Sequence, residues 1–212
     1  MAVRYKLYYF DAQGRGELVR LILHAVGEEF EDIRVHQALW EQLKPSTPLH
    51  TLPVLEIDGK QLAQSSAIAR YLAGVFDLGG RNNLEKALVD SAAELIDEIL
   101  SDALKIIFEH DKRRKAKALK QFVTVTLPQK LARLEEFKLA HGKGYGYIFG
   151  NDLTYADLAA HNAFDQIVSG SIVEREVLEQ YSYPAELRRR IFDGEPRISR
   201  YIKHRNQMLK SL

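Results

Sequence analysis

The stretch Thr51-Leu-Pro-Val-Leu-Glu-Ile-Asp-Gly-Lys-Gln-Leu-Ala-Gln-Ser-Ser-Ala-Ile-Ala-Arg70 constrains the fold more than any other part of the chain. Asp58-Gly59 between two short apolar runs is a two-residue hairpin signal. One strand starts at Pro53, where a proline is tolerated because its missing N–H need not join the ladder. The return strand ends near Ala63, and a helix follows from about Ser65. The Gln64-Ser65-Ser66 step presents helix N-terminal N–H groups and a hydroxyl, a place where a carboxylate or phosphate is welcome. Such a segment can hold a small acidic peptide by its backbone and by its acid group.

The elements before it alternate. Val3 to Phe10 is a β-rich run, closed by turn residues at Asp11–Gly14. From Gly16 the apolar spacing becomes Leu18, Leu21, Ile22, Ala25, one face of a helix, and Gly27 stops it. Residues 29–35 alternate as a strand, and a short polar helix or loop spans His36–Lys44 with the only tryptophan, Trp40. Ile68, Tyr71, Leu72 and Val75 form the stripe of the helix after the hairpin. The order β-α-β-α-β-β-α predicts a four-stranded sheet carrying helices.

Residues 79–84 are polar and Gly-rich, and they read as a linker between a domain at 1–78 and one at 85–212. The second part shows no strand alternation. Leu88, Ala92, Leu95, Ile96, Ile99, Ala103 and Ile107 mark a long amphipathic helix to about His110. Another is expected from about Lys115 to Ala140, bent near Pro128. Gly142 to Tyr147 reads as a loop. Thr154 with Asp157 resembles a capping box, although that pattern prefers Glu or Gln at the second place, and Leu153 with Leu158 suits a hydrophobic staple. Shorter helices are expected at about 173–181, 184–192 and 196–208.

Composition narrows the function. A net charge of +1 argues against nucleic acid or an anionic membrane as the main partner. No apolar run reaches the ~18 residues of a membrane span, and the start of the chain lacks the apolar region of a signal peptide. A cytoplasmic enzyme or binding protein is the expectation. Cysteine is absent, which excludes disulfides, thiolate metal ligands and a thiol nucleophile supplied by the protein. The seven histidines show no i, i+4 metal pair, so no tightly bound metal is expected. Glu94, Asp97 and Glu98 are either a loose divalent-cation cluster or a charged helix face. The run Lys112 to Lys117 reads as a solvated face, and the glycines at 142, 144 and 146 lack the spacing of a dinucleotide fingerprint.

Several side chains are candidates for chemistry, and each also has an ordinary structural role. Tyr9 ends the first strand, at the edge where sheet proteins expose functional groups, or it merely alternates with Tyr8 between core and surface. Arg15 pairs with a ligand acid or with a carboxylate of its own domain. Trp40 and Lys44 offer an indole N–H and an ammonium to a ligand carboxylate, or form a partly buried indole beside a solvated amine. Gln64-Ser65 is a helix cap unless a ligand takes it.

In combination these signals are specific. Tyr5-Lys-Leu-Tyr-Tyr-Phe10, Gly14-Arg-Gly-Glu-Leu-Val-Arg20, Trp40, Leu52-Pro53-Val-Leu, Gln64-Ser-Ser-Ala-Ile-Ala-Arg-Tyr-Leu72 and Thr154-Tyr-Ala-Asp157 occur in an order that resembles the glutathione S-transferases over essentially the whole chain. The resemblance is greatest to the sigma-like class, which includes glutathione-dependent prostaglandin D synthases. It implies α/β plus all-α architecture, with a thioredoxin-like N-terminal domain, a helical-bundle C-terminal domain and a homodimer. It implies glutathione as cosubstrate, hydrophobic electrophiles as second substrates, and peroxidase or prostaglandin isomerase activity as possible additions. A protein that stores haem or other hydrophobic ligands is the alternative, and a crystallin-like structural role a weaker third.

Residue by residue, the resemblance makes Tyr9 the catalytic hydroxyl, since it directly precedes the Phe before the turn, and gives Tyr8 no catalytic role. Arg15 becomes the supporting arginine. Trp40 and Lys44 reach the glycine carboxylate of glutathione, and Thr51 and Leu52 serve the peptide, with the Leu52 backbone pairing with the cysteinyl unit. Pro53 matches the family's cis-proline, and Gln64 and Ser65 bind the γ-glutamyl carboxylate. Glu98 stands where several relatives have an Asp that reaches glutathione's amino group across the dimer interface, and it is one methylene longer. The second-substrate wall is expected to include Tyr9, Ala12, Gln13, residues near Leu104–Phe108 and the C-terminal tail. The missing cysteines then make sense, because the nucleophilic sulfur arrives with the cosubstrate.

Overall fold

The computed structural model describes residues 3–142 and 146–210. Residues 143–145 of the expected loop lie outside the described residues. By its contacts the chain divides into two units, Met1–Leu78 with Glu195–Leu212, and Gly79–Gly194. The last helix, grouped from the sequence with the helical part, thus packs with the N-terminal elements.

In the first unit, β1 (Tyr5–Phe10), α1 (Glu17–Val26), β2 (Phe30–Val35), α2 (Gln37–Leu43), β3 (Val54–Ile57), β4 (Lys60–Ala63) and α3 (Ser65–Val75) follow the expected alternation. The sheet order is β2-β1-β3-β4, with β1 and β2 parallel and the other neighbours antiparallel. This is a thioredoxin-like arrangement. Asp58 and Gly59 both take positive φ, at 48° and 83°, as the twist-matched hairpin turn requires. Leu7, Val54 and Leu55 of the sheet are buried, together with Val19, Leu21, Ile22 and Leu23 of α1 and Ile68, Ala69, Leu72 and Ala73 of α3.

The helix stripes differ from the expected ones in an informative way. On α3, Tyr71 and Val75 are exposed, while Ala69 and Ala73 are buried. Small side chains let this helix approach its neighbours closely, so the buried face is rotated toward them. On α1, burial runs continuously from Val19 to Leu23 through the charged Arg20, and the charged Glu17 is buried as well. The reason is a second covering element, α10 (Pro196–Lys210), which lies against α1.

The second unit is helical, with α4 (Asn83–Ile107), α5 (Lys112–Gln121), α6 (Leu127–Gly142), α7 (Tyr155–Ser169), α8 (Arg175–Leu178) and α9 (Ser182–Gly194). The bend expected near Pro128 is realised as a π-helical turn over Phe122–Thr126 between α5 and α6. Proline has no N–H to give the carbonyl four residues back, and widening the preceding turn relieves that mismatch. The helix also begins earlier than the expected Lys115, so the basic run from Lys112 forms the first turns of α5. Asp157 closes the start of α7 despite being shorter than Glu. Its carboxylate accepts the Thr154 backbone N–H at 3.0 Å and hydroxyl at 2.7 Å. No helix among the described residues is long and apolar enough to cross a membrane.

Candidate functional site

Strand register brings most of the candidate residues to one end of the sheet. Tyr8 pairs with Val54 on β3, and Val54 pairs with Ala63 on β4. One step beyond these partners lie Tyr9, Pro53 and Gln64. Tyr9 in turn pairs with Arg34 on β2, the strand that leads into α2 with Trp40. The carboxyl ends of parallel strands β1 and β2, the entry to β3 and the exit from β4 therefore converge, which is where open α/β sheets place their sites.

The two adjacent tyrosines separate as strand geometry demands, because successive side chains point to opposite faces. Tyr8 donates its hydroxyl to Glu56 at 3.4 Å, and burial beside that carboxylate raises its pKa. The Tyr9 hydroxyl instead accepts the Arg15 backbone N–H at 3.0 Å. A phenol oxygen that accepts one bond still has its own O–H to give. The ring lies directly on the β1–α1 turn. A Cβ at Gly14 would fall 2.4 Å from its oxygen, and one at Gly16 would fall 2.4 Å from Cγ. These glycines leave room for the ring, and they fix where the hydroxyl sits.

The surrounding candidates are positioned by short-range devices. Trp40 is half-buried and meets Phe10 edge-to-face, with ring centroids 5.7 Å apart. The Lys44 carbonyl gathers the next loop by accepting the Thr47 N–H at 3.2 Å and the Thr47 hydroxyl at 2.8 Å, and it lies 3.1 Å from His50 Nδ1. That loop delivers Thr51, exposed, and Leu52, half-buried, to Pro53, which is buried and preceded by a cis bond. Gln64 sits at the N-cap position of α3 with φ 75° and makes no side-chain cap. Its exposed side chain is not spent on the helix, contrary to the default expectation for a capping position. A non-glycine residue in that region carries a conformational cost of about 1–3 kcal/mol, and such strain gathers at binding sites. Ser65 then opens α3, whose N-terminal N–H groups and dipole favour an anion.

Glu98 belongs to the second unit, where its carboxylate lies 3.3 Å from Lys130 and is 64% exposed. The Asp97 carboxylate accepts the Ser101 hydroxyl at 3.3 Å. Among the described residues no group of three or more acidic or histidine side chains is arranged to hold a metal ion.

Sequence reasoning missed the support beneath the Tyr9 turn. Arg20 is fully buried, and its Nη1 donates to the Ala12 carbonyl at 2.8 Å and its Nη2 to the Phe10 carbonyl at 3.3 Å. Its Nε bridges both Asp32 oxygens at 3.2 and 3.0 Å, and Nη1 lies 3.3 Å from Glu17. The guanidinium carbon is 5.7 Å from the Tyr9 ring centre. The i, i+3 pair Glu17 and Arg20 stands inside the Gly14–Arg20 motif, so the signal was present.

Comparison with known proteins agrees with this geometry. The profile of the glutathione S-transferase N-terminal domain matches residues 5–74, and that of the C-terminal domain matches residues 97–205. The chain is similar to S-crystallin SL11 of Nototodarus sloanii, 34% identical over 95% of this chain and 97% of that protein. It is 29% identical to the hematopoietic prostaglandin D synthase of Homo sapiens over 96% of this chain and 97% of that protein. Among solved structures, the glutathione S-transferase from Ascaris lumbricoides superposes with a TM-score of 0.82 at 34% identity, covering 95% of this chain and 97% of that one. With both domains matched and a full-length relative above 30% identity, the chain belongs to the glutathione S-transferase family.

Proposed function

We propose that this family enzyme joins the glutathione sulfur to electrophilic small molecules, with Tyr9 as the hydroxyl that stabilises the thiolate. Glutathione conjugation follows from family membership. The assignment of Tyr9 rests on one observation above the others: its hydroxyl accepts the Arg15 N–H and keeps its own proton to donate, while the Tyr8 hydroxyl is directed to Glu56.

A free thiol with a pKa near ~8.5 is mostly protonated at neutral pH. Hydrogen bonding to the charged form lowers a pKa, and a shift of about two units corresponds to roughly 2.7 kcal/mol. One charge-assisted hydrogen bond contributes about 1.5–3 kcal/mol, which is the size needed. The Arg15 N–H on the phenol oxygen makes the O–H a better donor, since linked hydrogen bonds polarise one another. The thiolate then displaces a leaving group from carbon, or adds to an activated double bond. The thiol proton passes to solvent.

The peptide is held from its ends. Gln64 and Ser65 take the γ-glutamyl carboxylate at the start of α3, the Leu52 backbone before Pro53 pairs with the cysteinyl unit beside Thr51, and Trp40 and Lys44 receive the glycine carboxylate. Their convergence at one end of the sheet supports this arrangement. We place the enzyme in the sigma-like class, supported by its similarity to S-crystallin and prostaglandin D synthase sequences. Within that reading it acts as a cytoplasmic homodimer in which Glu98 approaches glutathione of the partner subunit.

The assay is conjugation of a chloronitrobenzene by wild type and by Tyr9→Phe. Wild type is expected to be active, and the variant to lose about ten- to a hundredfold at neutral pH as the thiolate fraction falls. Equal activity would remove Tyr9 from its role. An inactive wild type that binds haem tightly would replace the enzyme reading with the binding-protein one.

A further inference from the structure

We propose that Arg205 and Tyr201, on the last helix, are positioning residues for the turn that carries the Tyr9 hydroxyl, acting through Glu17 and Arg20. This rests on the assignment of Tyr9 made above. It adds that the end of the chain sets how well Tyr9 performs.

The contact is built, not incidental. Arg197, Tyr201 and Arg205 are spaced four apart and so share one face of α10. They meet α1 from its end to its start. Arg197 Nη1 donates to the Val26 carbonyl at 3.1 Å, and its guanidinium lies against Gly27, where a Cβ would fall 2.8 Å from Cζ. Tyr201 stacks on His24 with ring centres 4.1 Å apart and a 22° interplanar angle. Its hydroxyl donates to both Glu17 oxygens at 3.0 and 3.1 Å. Arg205 Nη1 donates to Glu17 Oε1 at 2.5 Å. Ile198 and Ile202 of the same helix are buried.

Glu17 is 1% exposed and Arg205 9%, so water does little to screen this cluster. A buried carboxylate between two guanidinium groups divides its attraction between them. With Arg205 and Tyr201 in place, Arg20 is left to serve Asp32 and the carbonyls of Phe10 and Ala12 as well as Glu17. Without them, Glu17 has lost two of its three groups of donors and draws Arg20 toward itself. The guanidinium then leaves the two carbonyls that define the turn between Tyr9 and Arg15. A shift of a few tenths of an ångström there loosens the Arg15–Tyr9 bond and the aim of the phenol O–H, and hydrogen bonds weaken steeply with poor alignment.

The consequence is selective. Glutathione's two carboxylates are read by Trp40, Lys44, Gln64 and Ser65, which stand on other elements, so its binding should hardly change. Thiol ionisation should change. The experiment is the pH profile of kcat/KM for conjugation, together with KM for glutathione, in wild type, Arg205→Met, Arg205→Lys, Tyr201→Phe and Tyr9→Phe. Arg205→Met should move the acid limb up by about one unit, lowering kcat/KM about threefold at pH 7 and about tenfold well below the limb, with KM for glutathione within about twofold. Arg205→Lys should recover part of this, since it restores the charge without the planar fork. Tyr201→Phe removes one hydroxyl and should move the limb the same way by a smaller amount.

A folded Arg205→Met with an unmoved acid limb overturns the proposal, as does a loss carried wholly by KM for glutathione. Should Arg205→Met fail to fold, Tyr201→Phe decides: a displaced limb supports the coupling and an unmoved one overturns it. Tyr9→Phe separates the two levels. If its limb is unmoved, the Tyr9 assignment fails. If its limb moves while those of the α10 variants do not, the coupling alone fails.

Discussion

Glu17 in the first unit and Asp157 in the second are both buried carboxylates, and they are satisfied in opposite ways. Among the described residues Asp157 accepts only neutral donors: the N–H groups of Ile148 and Thr154 and the hydroxyls of Thr154 and Tyr183, at 2.7–3.0 Å. Each lies within 26 residues of Asp157 along the chain. Burial pushes the Asp157 carboxyl upward against the pull of these donors, and the same burial beside Asp157 raises the Tyr183 phenol well above its ordinary value. Glu17 is met by two guanidinium groups and a phenol, and the Arg205 contact spans 188 residues. The local carboxylate fixes a helix start and the loop before it. The long-range one ties the end of the chain to the turn beneath the proposed catalytic hydroxyl. Equal burial therefore hides unequal purposes: Asp157 serves folding, while Glu17 serves folding and the geometry of the site.

Substitutions can break that contrast. The largest expected effect on stability is at Asp157. Asp157→Ala strands four donors, at about 1–3 kcal/mol for each buried group left unsatisfied, so a total loss of about 4 kcal/mol or more is expected in chemical denaturation. Whatever protein remains folded should keep its KM for glutathione. A specific loss of glutathione affinity in the folded fraction would contradict the division of purposes.

Gly16→Ala tests the other side with a smaller stability cost. The new Cβ falls 2.4 Å from Cγ of Tyr9 at a φ of −75° that any residue tolerates, so the effect is overpacking alone. A cost of about 1–3 kcal/mol is expected, with kcat falling further than the unfolded fraction explains. Gly59→Ala is its control: nothing lies within 4 Å, and only the φ of 83° opposes it. It should cost about 1 kcal/mol and leave kcat unchanged.

The smallest effect is a pH dependence confined to the first unit. Burial holds the His24 imidazole below its ordinary value, outweighing the pull of the Glu17 and Asp32 carboxylates, and the Arg20 cation adds to the lowering. His24 is thus kept neutral against Tyr201. Its contribution is fully present above its unfolded value of about 6.5 and is lost as pH falls through the lower folded one. The protection factors of the α10 amides, taken against the intrinsic exchange rate at each pH, should fall between about pH 7 and pH 5 in wild type, and His24→Phe should flatten that slope. An identical slope in both proteins would remove His24 as its source.

The sequence made the local devices legible and left the long-range ones out of sight. Asp58-Gly59, Gly27 and the Thr154–Asp157 cap each act within a few residues, and each stands in the structure. The four-stranded sheet followed from the order of such signals. The α3 stripe was rotated because Ala69 and Ala73, weak in any apolar pattern, form the close contact while Tyr71 faces outward. Glu17 and Arg20 were visible as letters of a motif, but their burial depends on α10, about 180 residues later, and no periodicity within α1 announces a covering helix. Gln64 was readable as the residue before a helix; its positive φ is a property of the assembled hairpin exit.

The central claim is that the Tyr9 hydroxyl lowers the pKa of the glutathione thiol. The most direct measurement is a titration of the thiol in the binary complex, following thiolate absorbance against pH in wild type and in Tyr9→Phe. Wild type should ionise about two units below free glutathione, and Tyr9→Phe should return most of the way to the free value near ~8.5. The same depressed ionisation in both proteins would contradict the account.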